Sequence, residues 1–309
     1  MPLPFILWGA AAALAATGVV KGVEAVGNLN EAKEIGERAE RRHRRKKREL
    51  EELRDETNAK YTALGELKRD IFLNQIKHVI ETLKKMKDAG GKLKGFESTF
   101  TIEELKQMEQ MVKMSLELES GVLAGAIGGA LAGLGAYGSV GLLAAASTGT
   151  AITALSGAAA TNATLAWLGG GSLAAGGFGM AGGMMALGGI VAGPALAIGG
   201  FMLASKAEEA LTKAHEYRAE VDEAIEKMDL MEEGLRGLQT NADEMAHALN
   251  EMVKRFEQVK VYEINDEKSL ETMLAVGKSL KKLLDVNLIS EDGLPVHGIR
   301  QTCNGLLEC

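Results

Sequence analysis

Cysteine, aromatic residues and proline are all scarce in this chain, and each scarcity excludes something. Two cysteines, Cys303 and Cys309, sit at the extreme C-terminus. They are too few for a disulfide framework and lack metal-ligand company, so they read as incidental tail thiols in a reducing compartment. Aromatics make up 4% of the sequence, which argues against a large conventional soluble core, because Phe, Tyr and Trp usually dominate core burial. No proline falls within residues 206–262, so nothing breaks a long helix there. The net charge of −7 gives no global pull toward nucleic acid, and none is expected as a partner.

Catalytic signatures are missing as well. There is no HExxH and no Walker lysine motif. Two G-x-G-x-x-G matches occur, Gly133-Gly135-Gly138 and Gly177-Gly179-Gly182. A dinucleotide site needs an acidic residue about 20 positions further on, and none lies near that distance. The histidines, His43, His78, His215, His247 and His297, are scattered along charged helices. Nothing assembles a nucleophile with a base. The expectation is a protein that is not an enzyme, with no catalytic residue, metal, cofactor or small-molecule substrate.

The largest absence is charge itself. From Ser120 to Ser205, 86 residues pass without one Asp, Glu, Lys, Arg or His, in a chain that is 25% charged. That window holds 23 of the 38 glycines. Such a run must be buried in a core, a partner or lipid. Gly and Ala bury little area each, so it suits helix packing in lipid, where small residues four apart allow close backbone approach. Gly121, Gly125, Gly129 and Gly133 make three consecutive GxxxG steps, and Gly179-Gly183 and Gly189-Gly193 repeat the step. Spans are expected at about 121–146 and 172–203, the second kinked at Pro194. The semi-polar residues 147–164 between them would be a hairpin tip, a weak third span or a pore lining. Trp167 suits a lipid–water boundary or ordinary packing.

Around this block the pattern predicts five regions. Residues 1–28 form an apolar N-terminal helix whose uncharged run, Pro4 to Val20, includes Trp8 as a second interfacial tryptophan. It is at the short end for a span and reads as an anchor or a second insertion element. Residues 29–119 are charged long helices. In the first, Leu50, Leu53, Thr57, Lys60, Leu64, Leu67, Ile71 and Asn74 follow heptad spacing, and Ile76, Val79, Ile80, Leu83 and Met86 continue in a shifted register. A second begins near residue 101, capped by Thr99 or Thr101. Residues 120–205 are the uncharged region. Residues 206–262 carry the most regular seam, from Ala207 through Tyr217, Met228, Leu238 and Met245 to Val259. Residues 263–309 form a small cap with a helix at about 266–285.

The run Arg41, Arg42, His43, Arg44, Arg45, Lys46, Lys47, Arg48 is an anionic-lipid contact, a solvated stretch balanced by Glu37, Glu40, Glu49, Glu51 and Glu52, or, as a third reading, a nucleic-acid patch, for which the interleaved aromatics are missing. If the N-terminal helix spans, this cluster lies on the cytoplasmic side.

Long charged helices flanking one glycine-rich apolar hairpin resemble the helical pore-forming toxins, and also the apolipoprotein L family. The resemblance is one of architecture over about residues 1–260. It implies an all-α fold: an elongated helical bundle or coiled-coil stalk of antiparallel helices, with a membrane-inserting helical hairpin. The function it implies is bilayer permeabilisation by a homo-oligomer, as a bacterial toxin or cell-killing defence effector. The alternative is a membrane-anchored coiled-coil scaffold, and a third class is a soluble carrier that shelters the block with a partner chain. Location at a membrane, with a soluble form before insertion, goes with the first reading.

Overall fold

The computed structural model describes residues 19–88, 100–120, 127–136, 207–262, 266–290 and 294–308. These are almost wholly helical, and the fold is all-α. The elements in chain order are α1 (Val19–Ile71), a π-helical turn (Phe72–Ile76), α2 (Lys77–Asp88), α3 (Ile102–Glu119), α4 (Ile127–Ala136), α5 (Ala207–Val259), α6 (Glu267–Leu284) and α7 (Ile299–Leu307). The only extended pairing among the described residues is one bridge between Ile289 and Pro295.

Local chemistry explains several boundaries. Thr101 caps α3 in a capping box: its side chain accepts from the Glu104 N–H while Glu104 accepts from the Thr101 N–H. Asp266 caps α6, accepting from the Lys268 N–H at 3.2 Å. The π-helical turn explains the shifted register of the apolar stripe after Ile71. It admits an extra residue into the helix, so Phe72, Gln75 and Ile76 turn inward together.

The chain divides into two units, Met1–Glu52 with Ile190–Glu232, and Leu53–Gly189 with Glu233–Cys309. In the described part of the first, α1 and α5 pair through small residues: Ala32 sits with Ala210 and Ala214, and Ala39 with Tyr217 and Val221. Arg42 reaches Asp222 at 2.7 Å, and Lys46 reaches Asp229 at 2.5 Å and also Glu232. Numbers on the two helices rise together, so they run parallel, not antiparallel as the sequence suggests.

The second unit shows the same direction independently. Gln239 donates to Thr57 at 3.0 Å, Lys60 pairs with Asp243, Gln75 donates to Glu257 at 2.7 Å, and His78 Nε2 lies 2.7 Å from the Val261 carbonyl. A parallel pair needs a long return connection, which residues 89–206 provide. Here α2, α3, α4, α6 and α7 add large side chains. Phe72, Ile76, Met111, Leu134, Met245, Phe256, Met273 and Leu283 are all essentially inaccessible. From Ala210 to Phe256 every predicted seam position of α5 except Met231 is buried.

The membrane spans require correction. Among the described residues no helix is long and apolar enough to cross a membrane. A transmembrane protein with a spanning N-terminal helix, and a membrane location on that ground, is therefore not what the structure supports. The reason is visible in α1 and α4. Helix α1 carries Val19 and Val20 straight on through Lys21, Glu24, Glu31 and Lys33 with no break. Helix α4 has 10 residues, about half of what a span needs. With no span, the cytoplasmic placement of the basic cluster has no support either. Trp8, Gly121, Gly125, Trp167, Gly179, Gly183, Gly189 and Gly193 lie outside the described residues, as does the whole of the 172–203 stretch.

Candidate functional site

The feature that sets this chain apart is where its charge-free segment goes. Within the described residues that segment is α4, and it is enclosed by the second unit. Leu131, Ala132, Leu134 and Ala136 are buried. The contact that seats α4 is backbone against backbone. A Cβ placed on Gly65 of α1 would fall onto the Leu131 carbonyl, and one on Gly135 would fall onto the Tyr61 carbonyl and close to the Gly65 nitrogen. Neither position admits any side chain unless a backbone moves. Glycine is needed because two helix axes approach too closely for a methyl group. The crowded glycine of α4 is Gly135, which is not one of the four-spaced glycines, and its neighbour is the charged helix α1. Gly129 and Gly133 lie on the same short helix, with Gly133 buried.

The carbonyls of the last two residues of α4 both accept hydrogen bonds. The Gly135 carbonyl accepts from Lys68 Nζ at 3.1 Å, and the Ala136 carbonyl accepts from the Leu288 N–H at 2.9 Å. A cation at this end also suits the helix dipole. Leu288 is fixed in turn by α5: Asn241 Nδ2 donates to the Leu288 carbonyl at 3.2 Å and to the Val296 carbonyl at 2.8 Å. One short uncharged helix is therefore tied to α1 through Gly65 and Lys68, and to the segment that follows α6 through Leu288.

Lys68 is the most unusual side chain of the unit. It is 0% exposed, and burial pushes its amine down to about 7, against the opposing pull of Asp285 and Cys303. Asp285 is itself pushed up by burial, though Lys281, at 2.5 Å, and Lys68 draw it back. Burial pushes the Cys303 thiol up to about 11, with Glu244 adding to the shift and Lys68 opposing it. A thiol held neutral is a poor nucleophile. Among the described residues no three His, Cys, Asp or Glu side chains are placed to hold a metal ion. This cluster positions a helix end; no reactive pair is assembled.

The basic run takes a different form. On α1, Arg41 pairs with Glu37, Arg44 with Glu40, Arg45 with Glu49 and Lys47 with Glu51, while Arg42 and Lys46 reach across to α5. Arg48 is exposed. Two carboxylates hold the Lys46 ammonium above its ordinary pKa. His43 occupies a seam position, and its Nε2 is buried without a hydrogen-bond partner. Burial first and the Lys47 charge second hold its pKa below the usual imidazole value.

Sequence reasoning missed Tyr61, Gly65, Lys68 and Gly135. The heptad from Thr57 to Ile71 can be stepped through Lys60 and Leu67 or through Tyr61 and Lys68; both routes share Leu64. Choosing Leu67 over a lysine follows hydrophobicity, yet Lys68 and Tyr61 are the buried pair, while Lys60 and Leu67 are partly exposed. The helix end that accepts from Lys68 decides this, and it is 67 positions away. No protein-family model matches the chain, no curated protein matches it in sequence and no solved structure matches it in fold.

Proposed function

We propose that this protein acts on lipid bilayers, permeabilising them as a homo-oligomer in the manner of a helical toxin or cell-killing effector. The observation that carries the reading is the docked state of α4. An 86-residue run without charge contributes a helix seated on α1 by glycine-to-backbone contact and the Lys68 hydrogen bond, with a second terminal hydrogen bond from Leu288. Among the residues of α4 whose burial is described, 131–136, the large apolar side chains are Leu131 and Leu134, and both are buried. Such a contact is specific in geometry, which suits a segment that is stored and later exposed.

The finer architecture that accompanies this reading is a coiled-coil stalk of α1 and α5 with the uncharged run as a glycine-rich hairpin. The activity is directed at a bilayer from a form whose described helices include no span. No chemistry is catalysed, and neither cofactor nor metal takes part.

Dye release from lipid vesicles tests it. The protein is expected to release trapped dye in proportion to its concentration, and Gly125→Leu with Gly129→Leu is expected to abolish release. Vesicles that bind protein and stay sealed would replace this reading with a scaffold. Protein that never binds vesicles and elutes with a partner chain would replace it with a carrier.

A further inference from the structure

The function proposed above leaves open what restrains the uncharged segment before it acts. We propose that the seat of α4 on α1 is an autoinhibitory contact, with Gly65 and Lys68 as its two fixed points; this rests on the bilayer-directed reading.

Three observations converge on it. Gly65 lies on the charged helix, outside the uncharged run, yet its missing side chain is what allows the Leu131 backbone to approach. Lys68, three residues on and so on the same face of α1, donates to the Gly135 carbonyl. The next carbonyl, of Ala136, is bound by Leu288, whose own carbonyl is bound by Asn241 of α5. The end of α4 is thus gripped from two directions. Each grip uses a polar or backbone group that the uncharged run does not itself supply.

Leu131 and Leu134 are the large apolar side chains of residues 131–136 that docking buries, and their burial is what release has to offset. Once undocked, α4 presents a helix with no charged side chain. A bilayer surface or a second copy then becomes the better environment for it. Docking and bilayer action compete for the same helix, so weakening the seat without altering the uncharged run should increase activity.

Gly65→Ala provides that separation. Alanine is the better helix former, so α1 itself is not weakened, but the added methyl group meets the Leu131 carbonyl. Two readouts on the full chain are needed: hydrogen exchange across 127–136 and 233–259, and dye release from phosphatidylcholine vesicles containing phosphatidylglycerol. The expected result is roughly tenfold faster exchange at 127–136, because local opening governs exchange, with 233–259 unchanged and dye released at lower protein concentration. If Gly65→Ala also strips protection from 233–259, Lys68→Met, which offers the Gly135 carbonyl no donor, is read in the same two assays.

Unchanged protection at 127–136 would overturn the contact as a restraint. Faster exchange there with wild-type leakage would overturn autoinhibition and leave the permeabilising function standing. Sealed vesicles with both proteins would overturn the permeabilising function and the restraint together.

Discussion

The two units of this protein join the same pair of helices by different means. In the first, α1 meets α5 through alanines, with Ala32, Ala39, Ala210 and Ala214 buried. His43 and Lys46 occupy the seam positions that follow on α1, and cross-helix order comes from Arg42–Asp222 and Lys46–Asp229. In the second, Tyr61, Phe72, Met245 and Phe256 are enclosed, and even a lysine is fully buried. The alanines bury little area, and the cross-helix ion pairs of this unit remain within reach of water and ions, so that part of the pairing energy is screened. The side chains of the second are held by burial, which salt does not screen. One heptad pattern therefore encodes a salt-sensitive contact in one place and a dense core in another. The partner elements make the difference: α2, α3, α4, α6 and α7 all contribute to the second unit.

This comparison can be broken or sharpened by experiment. The largest effect is expected from Phe256→Ala, which empties a fully enclosed site and should cost about 3–5 kcal/mol in urea unfolding followed by circular dichroism. A loss below about 1 kcal/mol would mean the second unit is no more densely packed than the first.

Next comes the titration of Lys68. Its native amine is pushed down to about 7, whereas the unfolded value is about 10.4. Above pH 7 the unfolded chain therefore binds more protons than the native one, and stability rises with pH. Cys303, pushed up to about 11, opposes this only above its unfolded value of about 8.5. Stability should thus increase by about 2 kcal/mol between pH 7 and 8.5, and Lys68→Met should flatten that rise. A flat wild-type profile over this window would show that Lys68 is hydrated.

In the first unit, Ala214→Leu should overfill the space beside Ala32 and cost about 1–2 kcal/mol. Hydrogen exchange should show the loss within 207–232 and leave 233–259 as before. Loss spread equally over both would merge the two units into one cooperative body.

The smallest effect is expected at His43. Its lowered pKa means the native state binds a proton less readily than the unfolded chain. Its contribution is present above the ordinary imidazole value of about 6.5 and is lost as pH falls below it. His43→Leu should remove the unpaired Nε2, gain less than about 1 kcal/mol, and abolish the acid weakening of 207–232. Identical exchange at pH 7 and 5 in the wild type would contradict this.

Much of the fold was legible. The seam from Ala210 to Phe256 announced α5, Thr101 was one of two caps that the sequence offered for α3, and the apolar register visibly shifted after Ile71, where the structure has the π-helical turn. The direction of pairing was not legible, because an a/d seam is satisfied by either orientation and only the cross-helix partners choose. Nor was the seat of α4. Gly65 is an isolated glycine in a charged helix, and Lys68 is a lysine among many. Neither announces a partner 66 or 67 residues away.

By itself, the sequence determined that the chain would be helical, where α5 would run, and that residues 120–205 carry no charge. Those follow from periodicity, caps and the absence of charge, which act over a few residues. Only the tertiary structure decided that α1 and α5 run parallel, that a lysine closes the end of an uncharged helix, and that this helix rests on its own chain. These depend on which backbones approach closely enough to exclude a side chain, and no local pattern carries that information.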